Sequence, residues 1–283
     1  MDRSALRELL ARHGLALSRE RGQNFLLGSE LPQKLVDAAG VMASDFVVEI
    51  GTGLGALTRA LAGRARRVLS IEIDAGLVRA LRAESLLPDN VELLHADALE
   101  LELAARLRSE PAPRRLVANL PYSVSAPLLR RLLDLAPWLS DSSVMLQREV
   151  ARRLLAAPGS RSYGSLSVLH ALVVRIERCL ELPPRCFHPV PEVHSSFLRL
   201  VPRRDSPLAA GELAQVERVL RAAFGTRRKT LANALGHGLA DELPPAAIAE
   251  GLRRAGIGAR ARAEELPPEV LLELARALRE VAA

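Results

Sequence analysis

The sequence has little from which to build cross-links, aromatic clusters or membrane spans. Its two cysteines, Cys179 and Cys186, are too few for a disulfide framework and fit a reducing compartment. They lie near His188 and His194, but neither a CxxC nor an HxxxH spacing is present, so no zinc site is expected. Both thiols read as small apolar groups. Aromatics make up 3% of the chain, so the core must come from Leu, Val, Ile and Ala. Lysine occurs only at Lys34 and Lys229. No stretch reaches the roughly 18 uninterrupted apolar residues of a membrane span. Met1-Asp2-Arg3-Ser4 runs into an amphipathic stretch, not an apolar leader. A cytoplasmic protein with no membrane and no metal partner is expected.

The 283 residues suffice for one large domain, or a medium and a small one. With 49% hydrophobic and 25% charged residues the chain has an ordinary globular composition. Its net charge of +6, carried almost wholly by arginine, suits a polyanionic partner such as nucleic acid. Charge alone serves solubility as well, and a compositional preference for arginine explains part of it.

Leu6, Leu9 and Leu10 recur at helical spacing. After a polar loop over 18–28, Ser29 is placed to cap a helix that carries Pro32 in its first turn and ends at Gly40. Strands are then expected at 46–50, 67–73, 91–95, 115–118 and 143–147. Helices are expected from the glycine-rich turn 51–55 to about 62, and at 75–83, 126–135 and 149–156. This alternation implies a mostly parallel sheet covered on both faces. Two more strand candidates, about 173–181 and 195–201, could form an antiparallel edge hairpin. Beyond Pro202-Arg203-Arg204-Asp205-Ser206-Pro207 the pattern is helical only. Leu213, Val216, Val219 and Leu220 mark one helix, and others start near Arg228, Pro245 and Pro268. The boundary is placed near 204, giving domains 1–203 and 204–283.

Glu49-Ile50-Gly51-Thr52-Gly53-Leu54-Gly55 follows a strand directly and opens a helix. Glycines there let the backbone turn sharply and approach a ligand. The spacing is GxGxG, not the GxGxxG of dinucleotide folds, and no P-loop lysine follows. Glu49 would repel a pyrophosphate but suits a ligand with positive amino and sulfonium groups. Glu72 ends the second strand, where a carboxylate can accept from both ribose hydroxyls. Asp97, after the third strand, could accept from the exocyclic amine of an adenine. A single acid is more often a cap or a solvated loop residue. Three in register after consecutive strands argue for a nucleoside site at the carboxyl ends of the sheet.

The fourth strand ends in Asn119-Leu120-Pro121-Tyr122. An exocyclic adenine amine is a poor nucleophile because its lone pair is delocalised into the ring. A site that alkylates it must accept both N–H bonds and draw the nitrogen towards tetrahedral geometry. The Asn119 side-chain oxygen and the Leu120 carbonyl can do so, Pro121 stiffens the turn, and Tyr122 can stack on the base.

With these motifs in place, the chain resembles the KsgA-type ribosomal RNA adenine N6,N6-dimethyltransferase family over most of its length. The resemblance is carried by Gly22-Gln23-Asn24-Phe25-Leu26, Glu49 to Gly55, Asn119 to Tyr122 and Gln147-Arg148-Glu149-Val150. It continues through 162–168, Phe187-His188-Pro189-Val190-Pro191-Glu192-Val193-His194-Ser195, 224–231 and 262–266. Thr52, Ala96 and Arg19 stand where the family usually has Pro, Gly and Lys. Each departure is mild in backbone shape or charge.

The resemblance implies a Rossmann-like class I methyltransferase domain with a mostly parallel seven-stranded sheet and a smaller C-terminal all-helical domain. It implies S-adenosylmethionine held by Asn24, Leu26, Gly51, Gly53, Glu72, Asp97 and Asn119. Asn119, Leu120, Pro121 and Tyr122 would hold the target amine, with Phe187 stacked on the other face of a flipped adenine. Family members transfer two methyls to each of two adjacent adenosines near the 3′ end of small-subunit RNA, in an assembling 30S subunit. Arg227, Arg228 and Lys229 would meet RNA phosphates, with Arg203, Arg204, Arg253, Arg254, Arg260 and Arg262 as further candidates or as solvated helix faces. Nothing demands a dimer, so a monomer is expected. Two rivals share features of the pattern: a large-subunit RNA adenine methyltransferase of the macrolide-resistance type, and a non-catalytic assembly or RNA-binding factor.

Overall fold

The computed structural model describes residues 3–15, 24–209, 211–226 and 229–282, except the side chain of Ser123. The chain begins with α1 (Arg3–Arg12), β1 (Phe25–Leu26), α2 (Glu30–Ala38) and β2 (Phe46–Ile50). It continues with α3 (Ala56–Ala62), β3 (Arg67–Glu72), α4 (Ala75–Ala83), β4 (Val91–His95), α5 (Leu103–Ser109) and β5 (Arg114–Asn119). Next come α6 (Ser125–Leu135), β6 (Asp141–Gln147), α7 (Arg148–Leu154), α8 (Ser165–Val173), β7 (Val174–Leu182), β8 (Phe187–His188) and β9 (Ser195–Pro202). Four helices end the chain: α9 (Leu213–Phe224), α10 (Leu231–Gly238), α11 (Pro245–Arg254) and α12 (Pro268–Ala282).

Seven strands form one sheet in the order β4-β3-β2-β5-β6-β9-β7. β4 to β6 are parallel, and β9 joins β6 antiparallel. The apolar run Phe-Val-Val-Glu-Ile of β2 explains its central place, since all five residues are buried, as a strand covered on both faces requires. From β2 the chain steps outward to β3 and β4, then returns to lay β5 on the other side of β2. That reversal opens a crevice at the carboxyl ends of β2 and β5, the usual ligand position in open α/β sheets. The mostly parallel seven-stranded sheet expected from the sequence is thus present.

At the opposite end of the strands lies a buried charge network. Arg115 bridges Asp45 at 2.7 Å and is hydrogen-bonded to Asp141, which also accepts from Arg199 at 2.6 Å. Both carboxylates are buried.

Several expectations are corrected. Ser29 occupies the N-cap of α2 but makes no side-chain capping bond, because its backbone is already helical (ψ −28°) and the hydroxyl does not reach the first turn. Asp74 does cap α4, accepting from the N–H groups of Gly76 and Leu77. Two helices were not foreseen, α5 and α8. α8, Ser-Leu-Ser-Val-Leu-His-Ala-Leu-Val, is apolar on nearly every side and runs straight into β7, so it carries no amphipathic period to read.

The chain divides into two compact units, 1–151 with 176–202, and 152–175 with 203–283. The boundary placed near 204 had left 152–175 with the sheet, whereas α8 belongs with the terminal helices. In that second unit Tyr163 is buried, donates its hydroxyl to the Leu266 carbonyl at 2.9 Å and meets Phe224 edge-on. Gly251 lies against Leu278, where a Cβ would come within 2.5 Å of the leucine, so α11 and α12 pack at close range. Glu212 accepts from Arg276 at 2.8 Å. Among the described residues no helix is long and apolar enough to cross a membrane.

Candidate active site

The carboxyl end of the sheet holds a cavity of about 890 Å³. Its wall contains Asn24, Leu26, Gly51, Gly53, Glu72, Asp97, Asn119, Leu120 and Pro121, which the sequence had singled out from five separate segments.

The turn after β2 explains its glycines. Gly51, Gly53 and Gly55 all have positive φ, at 85°, 57° and 74°. A side chain at Gly53 would also press on the Phe25 ring, at 3.0 Å. The Gly53 N–H donates to Glu72 Oε2 at 2.8 Å, and the Asp74 N–H donates to Oε1 at 2.9 Å. Each carboxylate oxygen is thereby fixed by one main-chain donor and keeps a lone pair for a ligand. Burial pushes the Glu72 carboxyl above its usual range, while those two N–H bonds pull it back. Asp97 Oδ1 accepts from the Leu99 N–H at 2.8 Å.

On the other side of the crevice, Asn119 closes β5. Its Nδ2 donates to the Asn24 carbonyl at 2.9 Å. A carbonyl only accepts, so the amide orientation is fixed chemically and Oδ1 is left to accept a hydrogen bond. Among the described residues no donor reaches the neighbouring Leu120 carbonyl. Tyr122 leaves the cavity wall, and its hydroxyl is bound to Ser195 Oγ at 2.6 Å, which ties the turn after β5 to the start of β9. Burial raises the phenol pKa.

Two expected roles are not met by position. Glu49 is 1% exposed and absent from the cavity wall. Burial pushes its carboxyl up to about 8, against the lowering hydrogen bond from Ser70. It lies beneath the glycine turn as a largely neutral acid, not as an anion facing a cationic ligand. Phe187 is 0% exposed and packs in the core with Leu26 and Phe197, because β8 pairs with β1 and sets Leu26 opposite Phe187. Neither ring face is open to a base. Arg203, Arg253 and Arg254 are engaged, the first with the Ala171 carbonyl and the other two with Glu250.

Arg227 and Arg228 lie outside the described residues. Lys229 is exposed, with Nζ 2.5 Å from His237 Nε2. The Leu231 N–H donates to the Ala261 carbonyl, so the segments carrying Lys229 and those carrying Arg260 and Arg262 are adjacent.

Sequence reasoning missed Ser195, Phe25 and Ile73. Ile73 follows Glu72, lines the cavity and is 61% exposed. An apolar residue directly after a strand-end acid was the available signal.

A mostly parallel seven-stranded sheet with a crevice at the carboxyl ends of β2 and β5 is the fold of the Rossmann-like class I methyltransferases. Within them, the chain belongs to the ribosomal RNA adenine dimethylase family, whose model matches residues 15–280. It is 42% identical over 277 residues to a ribosomal RNA small subunit methyltransferase A of Cereibacter sphaeroides, covering 96% of each chain. A protein of the same name from Geobacillus thermodenitrificans is 38% identical over 276 residues, covering 96% of this chain and 94% of that one. The structure resembles a dimethyladenosine transferase from Plasmodium falciparum, with TM-score 0.73 and 25% identity over 91% of this chain and 98% of that one. It also resembles the 23S rRNA methyltransferase ErmE, with TM-score 0.62 and 28% identity over 90% and 100%.

Proposed function

We propose that the chain dimethylates the N6 amines of two adjacent adenosines near the 3′ end of small-subunit ribosomal RNA. S-adenosylmethionine is the methyl donor and an immature 30S subunit the substrate. The protein acts as a cytoplasmic monomer. The membership and the small-subunit relatives support the substrate; the ErmE-like fold supports only the chemistry.

The residues present fit the donor. The Gly51–Gly53 turn leaves a cradle without side chains, and a side chain at Gly53 would close it against Phe25. Glu72 keeps one lone pair on each oxygen for two ribose hydroxyls. Asp97 suits an adenine amine, and Ile73 an adenine face. When bound, the cofactor supplies an electrophilic methyl on a sulfonium.

The reading is carried by the fixed orientation of Asn119. With Nδ2 committed to Asn24, Oδ1 accepts one N–H of the target amine, and the Leu120 carbonyl accepts the other. Two fixed acceptors localise the lone pair on nitrogen and support the positive charge that grows there as it is alkylated. The proton then leaves to water, with no dedicated base. Tyr122 stacks on the base, its ring steadied by Ser195. Stacking of this kind contributes about 1–3 kcal/mol and offsets the cost of unpairing the base. Lys229 and the adjoining Arg227 and Arg228 meet phosphates.

The test is transfer of labelled methyl to immature small subunits and, separately, to large subunits, with analysis of the modified nucleosides. N6,N6-dimethyladenosine confined to small-subunit RNA is expected. Label in large-subunit RNA would favour the macrolide-resistance chemistry, and no label with folded protein would favour a binding factor.

A further inference from the structure

Under the glycine turn lies a hydrogen-bonded chain that the proposed reaction does not use. The Thr52 hydroxyl is 2.6 Å from Ser70 Oγ, and Ser70 Oγ donates to Glu49 Oε2 at 2.5 Å. All three side chains are buried. Glu49 and Ser70 are cross-strand partners of β2 and β3, and Thr52 sits in the turn between Gly51 and Gly53. Ser70 Oγ thus bridges Thr52 and the buried carboxyl of Glu49, and either hydroxyl can donate in the Thr52–Ser70 bond.

Neither hydroxyl is required for the fold of a buried parallel pair, where apolar residues serve as well. A buried hydroxyl without a partner costs free energy; Ser70 has both Thr52 and Glu49, whereas the Thr52 hydroxyl is held by Ser70. Their bond joins the turn to β3 two residues before Glu72. The same turn supplies the Gly53 N–H that holds Glu72 Oε2. The turn is therefore tied to β3 at three points: through the Gly51 N–H to the Ile71 carbonyl at 2.8 Å, below through the Thr52 side chain, and at the rim through Gly53.

We propose that Thr52 and Ser70 are positioning residues for the cofactor: their shared hydrogen bond sets the height of the glycine turn and, through the Gly53 N–H, the aim of the Glu72 carboxylate at the ribose. This rests on the cavity being the cofactor site. They touch no reacting atom, so their effect falls on cofactor affinity and not on the chemical step.

The experiment is calorimetric titration of the full chain with S-adenosylhomocysteine, together with steady-state methylation of immature small subunits. Thr52→Val and Ser70→Ala are each expected to raise Kd and the cofactor KM about tenfold, the equivalent of about 1.4 kcal/mol, with kcat held within about twofold. Because they break one device, the double variant should match the worse single variant, and Thr52→Ser should restore wild-type affinity. A structural role alone would lower the melting temperature while leaving Kd unchanged, or would give additive losses, and either result overturns the inference. If the wild-type chain itself fails to bind S-adenosylhomocysteine, the cofactor site is wrong instead, so the two failures are distinguishable.

Discussion

Replacing Glu72 by glutamine keeps the shape of the strand end and removes half of its function. The carboxylate accepts one main-chain N–H on each oxygen, from Gly53 at 2.8 Å and Asp74 at 2.9 Å. A glutamine offers one acceptor oxygen, and its NH2 must confront one of those two donors. The strand end then loses a charge-assisted bond of about 1.5–3 kcal/mol, and one ribose hydroxyl loses its acceptor. The main-chain loss weakens the free and the bound protein alike, so affinity falls by the ribose bond alone, about 1.5–3 kcal/mol or roughly 10- to 10²-fold. Calorimetric titration of Glu72→Gln with S-adenosylhomocysteine measures it directly, with the melting temperature as a check on folding. A Kd within about threefold of wild type would refute the ribose-acceptor role. The wild-type protein has its own signature. Burial raises the Glu72 carboxyl, so affinity should weaken as pH falls, earlier than an exposed carboxylate would cause.

Asn119→Ala should lower kcat by about 10²-fold or more while S-adenosylhomocysteine still binds, since one of two amine acceptors is gone and the Glu72 side of the site is intact; single-turnover methylation near wild-type rate would contradict this. Glu49 supplies a pH test. Its folded pKa of about 8 exceeds the ordinary 4.5, so its contribution is fully present below about 4.5 and is lost as pH rises to about 8. The charged groups facing it are Glu72 and Arg59, with opposite effects. Glu49→Gln should therefore flatten the fall in stability between pH 5 and 8 by a few kcal/mol, at about 1.4 kcal/mol per pKa unit, and an unchanged slope in urea titrations would exclude a buried neutral acid. Asp141→Ala strips Arg199 and half of Arg115 of their buried partner and should cost about 3–5 kcal/mol by denaturant unfolding, with no change in cofactor affinity per folded molecule.

The parts legible in the sequence are those where local pattern and tertiary position coincide. The apolar run at 46–50, the alternating glycines and the strand-end acids each signal their place within a few residues, and the parallel sheet follows from their order. What was not legible depends on distant partners. Asn24 and Asn119 are 95 positions apart, and Tyr122 and Ser195 are 73 apart, so neither bond leaves a local trace. Glu49 looked like a ligand-facing acid because strand periodicity does not say which residue of a fully buried strand ends beneath the turn. Phe187 looked like a stacking ring because its burial is set by the pairing of β1 with β8, two-residue strands far apart in sequence. α8 was hidden by its own hydrophobicity.

The central claim concerns one nitrogen and two oxygens, and a crystal structure of the chain with S-adenosylhomocysteine and adenosine monophosphate addresses it directly. The account predicts the N6 atom at hydrogen-bond distance, roughly 2.7–3.2 Å, from both Asn119 Oδ1 and the Leu120 carbonyl, beside the sulfur and over Tyr122. An Asn119 amide turned to present Nδ2 to the base, or a base lodged away from the end of β5, would contradict it.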